Sequence, residues 1–306
     1  MNILQKLKKG QSKNPPRIML LGVEGVGKST AGAAMPSPVF LCGEDGLVGN
    51  QFADVSSYTP ESWKDVLDFV DDLTNEKTEF KTLVIDTLDW IEPLLYDHTC
   101  TKYGQGKIHS IEEFGFGKGY VLAQTETRQL LAKLDRLNKT GFAVLILAHT
   151  QIKAFQNPTG DNFDRYEPKV NGKIAGLFKE WCDCVLFAQF DIFTDKKGGM
   201  KAKAYGGQDR IVQTTHSAAW DAKNRFGLPE TMPLDMPSIL DAIAAGQPKD
   251  ESSMVKELEE LIAKMPKAKA DKTSEWLKKG GWTCQQLAQV INKARFETKE
   301  NDVNNG

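Results

Sequence analysis

Gly22-Val23-Glu24-Gly25-Val26-Gly27-Lys28-Ser29 follows the spacing G-x-x-x-x-G-K-[ST], with an apolar run before it and a helix-forming run after it. Glycines at these positions let successive backbone N–H groups turn inward around phosphate oxygens. A helix opening at Lys28 adds the partial positive charge of its N-terminus. Lys28 would neutralise the β- and γ-phosphates of a nucleoside triphosphate, and the Ser29 hydroxyl would ligate magnesium. The nucleotide-contacting residues expected here are Gly22, Glu24, Gly25, Val26, Gly27, Lys28, Ser29 and Thr30. The implied cofactors are ATP and Mg2+.

Three further groups can complete such a site. Asp86 closes the apolar run Leu83-Val84-Ile85. A carboxylate at the C-terminal end of a buried parallel strand stands where ligands bind in open α/β sheets. There it can hold a magnesium-bound water. Capping a helix that begins at Leu88 is the other role open to it, and the two can coexist. Glu44 and Asp45 follow the run 39–42. A carboxylate at that strand tip would face the γ-phosphate and orient the attacking water as a general base. Glu44 is favoured, with Glu24 inside the loop as its competitor. His149 and Gln151 follow the run 142–148. A polar side chain there can touch the γ-phosphate and change position on hydrolysis, or simply be satisfied by backbone.

The elements that must position these groups alternate between strand and helix. Residues 17–23, 39–42, 82–86 and 142–148 are apolar runs with little alternation, separated by helical patterns. Such runs mean a mostly parallel central sheet covered by helices on both faces. Thr59-Pro60 reads as an N-cap with proline at the first helical position. Trp63, Val66, Leu67, Val70 and Leu73 then share one face. Past a polar stretch at 152–172, strands near 183–190, 200–205 and 210–216 form an antiparallel extension with turns at Gly198-Gly199 and Gly206-Gly207. The expected organisation is a basic arm (1–16), an ATPase core (17–245), a linker (246–253), a small helical C-terminal module (254–297) and a disordered tail (298–306). In the module, Thr283 and Gln286 form a capping box.

Composition removes other classes. The 306 residues are 40% hydrophobic and 26% charged, which is globular rather than disordered or fibrous. The longest apolar run, 142–148, is far short of the ~20 residues of a membrane span. No apolar h-region follows the N-terminal lysines, so a secretory leader is not expected. Five cysteines without regular spacing fit a reducing cytosol. A net charge of -2 excludes a generally basic nucleic-acid coat, so any such site must be a local patch.

This order of parts resembles the RecA-like P-loop NTPase core. The glutamate follows the second strand, Asp86 ends the third, and Gln151-Ile152-Lys153 closes the next like that family's switch glutamine. The Gly-containing insertion 103–119 and the polar stretch 152–172 occupy the positions of its DNA-binding loops. Lys223-Asn224-Arg225-Phe226-Gly227 matches the KNRFG motif of bacterial RadA and is similar to the Lys-x-Arg element of DnaB-type helicases. The resemblance implies that Lys223 and Arg225 reach into a neighbouring subunit's nucleotide site. A trans-acting cation can supply on the order of a thousandfold in rate. A solvated Lys/Arg pair after a strand is the plainer reading.

As a whole the chain resembles core-only RecA-like proteins of bacteriophages associated with single-strand annealing and recombination. That implies a Mg-dependent ATPase in a ring or filament in bacterial cytosol, with single-stranded DNA and replication or recombination proteins as partners. An annealing protein with negligible turnover, or a helicase or branch-migration motor, remain alternatives. Cations beside aromatics are what single strands require. The candidate DNA residues are Lys107 and Lys118 in the first insertion, and Lys153, Phe155, Arg165, Lys169 and Lys173 in and beside the second. A mobile surface loop is the alternative for 152–172.

Overall fold

The computed structural model describes residues 14–43, 46–195, 203–246, 251–265, 267–278, 280, 290, 291 and 294. In chain order the core elements are β1 (Arg17–Gly22), α1 (Lys28–Ala33), β2 (Pro38–Cys42), β3 (Ser56–Tyr58), α2 (Trp63–Asn75), β4 (Thr82–Asp86), α3 (Leu88–Tyr103) and α4 (Lys118–Lys139). They continue with β5 (Ala143–Phe155), β6 (Phe163–Pro168), α5 (Gly172–Trp181), β7 (Cys184–Asp195), β8 (Lys203–Gln213), β9 (Lys223–Asn224), β10 (Thr231–Pro233) and α6 (Met236–Gly246).

The strand order is β10-β8-β7-β1-β5-β4-β2-β3. From β3 to β7 every neighbour is parallel. β8 and β10 extend that sheet antiparallel. This is the α/β P-loop NTPase fold expected from the sequence. Its rims are short: β3 and β10 have three residues each.

The apolar strands are buried on both faces, and alternation within each strand decides which helices it meets. Ile18 and Leu20 of β1, with Phe40, Val84, Leu145 and Leu147, join a cluster that includes Ala31 of α1 and Met236, Ile239 and Ile243 of α6. Met19 and Leu21, with Leu41, Leu83, Ile85, Val144 and Ile146, face residues of α2, α3, α4 and α5. Each fully buried aliphatic side chain contributes roughly 1.5–3 kcal/mol by leaving water.

Two polar clusters tie the helices to this frame. The Glu126 carboxylate, fully buried on α4, accepts from Lys102 Nζ at 2.9 Å and from the Tyr103 hydroxyl at 2.5 Å. His98 Nε2 lies 3.2 Å away. Burial pushes this carboxyl's pKa up, but the donors outweigh it and hold it below the ordinary value. Arg17 grips Asp183 through Nη2 at 2.7 Å and Nε at 3.0 Å, reaches Asp135 at 3.1 Å and lies over the Trp181 ring.

Several local expectations are corrected. α2 starts at Trp63 rather than after Thr59, because Ser62 and Asp65 form a reciprocal capping box. The stretch 152–172 is not a structureless loop: β5 runs on to Phe155 and pairs antiparallel with β6. Gly206-Gly207 is not a turn but lies within β8, where the register against β7 shifts between Phe190 and Ile192. Beyond the expected linker, α7 (Glu251–Ile262) is followed by α8 (Lys267–Lys278). One compact unit spans Ser12–Ala244, and α7 and α8 belong to another, where Leu258, Met265, Ile291 and Ala294 form a small apolar cluster. Arm residues 1–13, Gly198-Gly199, Thr283 and Gln286 lie outside the described residues.

Candidate functional site

β1 ends at Gly22, which is paired with His149 on β5 and Ala188 on β7. A side chain at Gly22 would meet the Ala188 carbonyl and Val26 Cγ1, both at 2.9 Å from its Cβ, so only glycine lets the chain leave the sheet here. Val26 is fully buried and pins the loop. Gly27, with φ +98°, then turns the chain into α1. Lys28 is 5% exposed and folds back inside the loop, its Nζ donating to the carbonyls of Gly22 at 3.2 Å and Val23 at 2.9 Å. Burial pushes its ammonium pKa down to about 8, against the opposing pull of Asp89, Asp86 and Glu24.

A cavity of about 290 Å³ opens over this loop. Gly25, Gly27, Lys28, Ser29 and Thr30 form its floor, and Asp86, Thr87 and His149 close one side. Gly46 and Phe52 come from the β2–β3 connection, and Arg210 from β8. Of the expected loop residues, Gly25, Gly27, Lys28, Ser29 and Thr30 therefore converge with Asp86, whereas Gly22, Glu24 and Val26 do not line this cavity. Thr87, not Asp86, holds the N-cap position of α3, and its side chain makes no cap hydrogen bond. Ser29 and Asp86 offer a hydroxyl and a carboxylate to one cavity, a hard-oxygen pair that fits magnesium completed by waters and phosphates. Among the described residues no cluster of three or more His, Cys, Asp or Glu forms a self-sufficient metal site.

Residues 14–226 match the family model of the AAA domain. The chain belongs to that family. An AAA domain is a P-loop ATPase module, and in this chain the loop and the strand-end aspartate line one cavity. A search of curated proteins finds no match.

The AAA domain carries a group that the sequence reading missed. Asp89, in the first turn of α3, accepts from the His149 backbone N–H at 2.9 Å and lies 2.8 Å from His149 Nδ1. Burial pushes the Asp89 pKa up, yet its bonds to His149 outweigh that and hold it below the ordinary value. An ionised carboxylate only accepts, so Nδ1 carries the hydrogen in this contact. The available signal was the Asp86-Thr-Leu-Asp89 spacing, which sets a second carboxylate on the helix opening at the strand end.

His149 also lines an adjoining cleft of about 660 Å³ with Glu24, Asp89, Trp90, Glu92, Pro93 and Lys169. Glu24, on the loop, is exposed and bonded to Lys169 Nζ at 2.6 Å. Gln151 lines neither cavity; its amide donates to the Pro168 carbonyl at 3.2 Å and closes the base of the β5–β6 hairpin. Glu44 and Asp45 lie outside the described residues.

The two cations of the KNRFG element part company. Lys223 Nζ donates to the carbonyls of Lys179 at 3.1 Å, Glu180 at 2.9 Å and Cys182 at 2.6 Å. All three ammonium hydrogens are thus used in capping the C-terminal end of α5 within this chain. Arg225 is more than half exposed, with Nη1 at 3.4 Å from Asp183.

The candidate DNA residues divide in the same way. Arg165 is 8% exposed, ion-paired with Glu167 at 3.1 Å and Asp221 at 3.8 Å, and stacked on Phe155. It is a structural cation, and Lys169 is engaged with Glu24. Lys153 and Phe155 are exposed on the hairpin, with the Phe155 and Phe163 rings 5.2 Å apart. Lys107, Lys118 and Lys173 are exposed.

Proposed function

We propose that this AAA domain binds and hydrolyses magnesium-ATP over Lys28 and couples the reaction to single-stranded DNA. The observation that carries the reading is the continuity of β5. One strand takes the chain from His149, in the phosphate cavity, to Lys153 and Phe155 on the exposed hairpin.

In this scheme the loop amides and Lys28 hold the phosphates, and Ser29 and Asp86 hold magnesium, which draws charge from the phosphate oxygens when bound. Asp89 fixes the His149 ring, leaving Nε2 for a water or a phosphate oxygen. Glu44 is the proposed orienter of the attacking water. Lys153 and Phe155, with Lys107, Lys118 and Lys173 as outlying cations, would track a single strand. Copies of the chain assemble so that Arg225 completes a neighbour's site, in recombination or annealing of the kind the sequence resemblance implies.

ATP hydrolysis measured against protein concentration, with and without single-stranded oligonucleotide, tests this. A rate that rises with both is expected, abolished in Lys28→Met and reduced in its DNA response by Lys153→Ala with Phe155→Ala. A rate indifferent to DNA would sink the coupling. Full annealing of complementary oligonucleotides by Lys28→Met would favour a strand-pairing protein without turnover.

A further inference from the structure

Arg210 has no part in the scheme above, yet it stands in the phosphate cavity beside Gly27, Lys28 and Ser29. A Cβ on Gly27 would come within 2.7 Å of Arg210 Nη1 and 3.6 Å of its Cζ, so the guanidinium lies against the glycine itself. The strand explains the aim. Val212 is fully buried in the cluster under α1. Side chains two apart on a strand share a face, which turns Arg210 to the side of the sheet that carries α1. Its backbone is anchored by pairing with Phe190 and by the Leu234 N–H, which donates to its carbonyl at 2.9 Å. The register shift beside it is the kind of irregularity that re-aims a side chain. Arg17, Arg165 and Arg225 each face a carboxylate, whereas Arg210 faces none among the described residues. An exposed guanidinium without a carboxylate, held against a phosphate-loop glycine, suits an anion.

We propose that Arg210 binds the nucleotide's phosphate chain within its own subunit, as a second intrinsic cation beside Lys28. This rests on the ATP-site reading. It separates two requirements: a lone subunit grips the nucleotide with its own cations, and only turnover waits for a neighbour.

Trinitrophenyl-ATP with magnesium is titrated against the full chain, Lys28→Met, Arg210→Lys and Arg210→Ala. Wild-type protein that does not bind the analogue ends the ATP-site reading itself. Where wild type binds and Lys28→Met does not, Arg210→Ala is expected to bind about 10- to 100-fold more weakly, with Arg210→Lys between them. Affinity within about twofold of wild type overturns the proposal. The nucleotide-free melting midpoint of Arg210→Ala should be unchanged, and a clear drop would make Arg210 a structural residue and overturn it too. In a mixing experiment, Lys28→Met supplies an intact Arg210 without a working loop. Recovery of binding when it is added to Arg210→Ala would show action across an interface and refute the assignment; no recovery is expected.

Discussion

His149 is held from two directions by one carboxylate, its backbone N–H and its Nδ1 both meeting Asp89. The consequence is a fixed ring and a fixed tautomer at the edge of the phosphate cavity. Asp89→Asn keeps the shape but can present its amide to Nδ1 and reverse the tautomer. Hydrolysis should fall roughly tenfold or more, with analogue affinity little changed and the pH–rate profile displaced. A profile and rate identical to wild type would reduce the pair to packing. At this scale the phosphate loop and Asp86 were legible in the sequence because their chemistry is local, a spacing followed by a helix. Asp89 was signalled only by its spacing from Asp86, and Arg210 not at all, since it reaches the site through a strand irregularity that no short motif encodes.

Among elements, α5 shows how a cation can be consumed by structure. A helix ends with carbonyls lacking intrahelical partners, and a lysine that meets them also faces the negative end of the helix dipole. Lys223→Met should therefore cost about 1–2 kcal/mol of unfolding free energy while leaving the dependence of ATPase rate on protein concentration unchanged. A stable variant with lost cooperativity would restore Lys223 to the interface. The α3–α4 junction predicts a pH response. Glu126 has its folded pKa held below the ordinary value of about 4.3, so its contribution is complete above that pH and is lost as pH falls through the lowered value. In urea melts Glu126→Gln should cost about 2 kcal/mol near neutral pH, with the gap closing on acidification; a constant gap would contradict it. The apolar runs made the parallel sheet legible, and Trp63, Val66, Val70 and Leu73 do share the buried face of α2. The hairpin at 152–168 was not legible, because its strands mix polar and apolar residues and carry no hydrophobic period.

For the whole molecule, the exposed Arg225 is the remaining candidate to sense a second copy. Arg225→Ala is expected to keep analogue binding and to lose about 100-fold or more in hydrolysis at concentrations where the chain self-associates, read by ATPase assay alongside light scattering. Unaltered hydrolysis by an associated variant would remove the neighbour from the reaction. How copies can meet is limited by the rims of the sheet. β3 is a three-residue Ser-Ser-Tyr strand and β10 a three-residue strand that ends in Pro233, which has no N–H to give. Neither of these two short strands can by itself template a continuous backbone ribbon from one molecule to the next. Copies that met at these two strands would have to do so through side chains, and such a contact would weaken on dilution and respond to ionic strength.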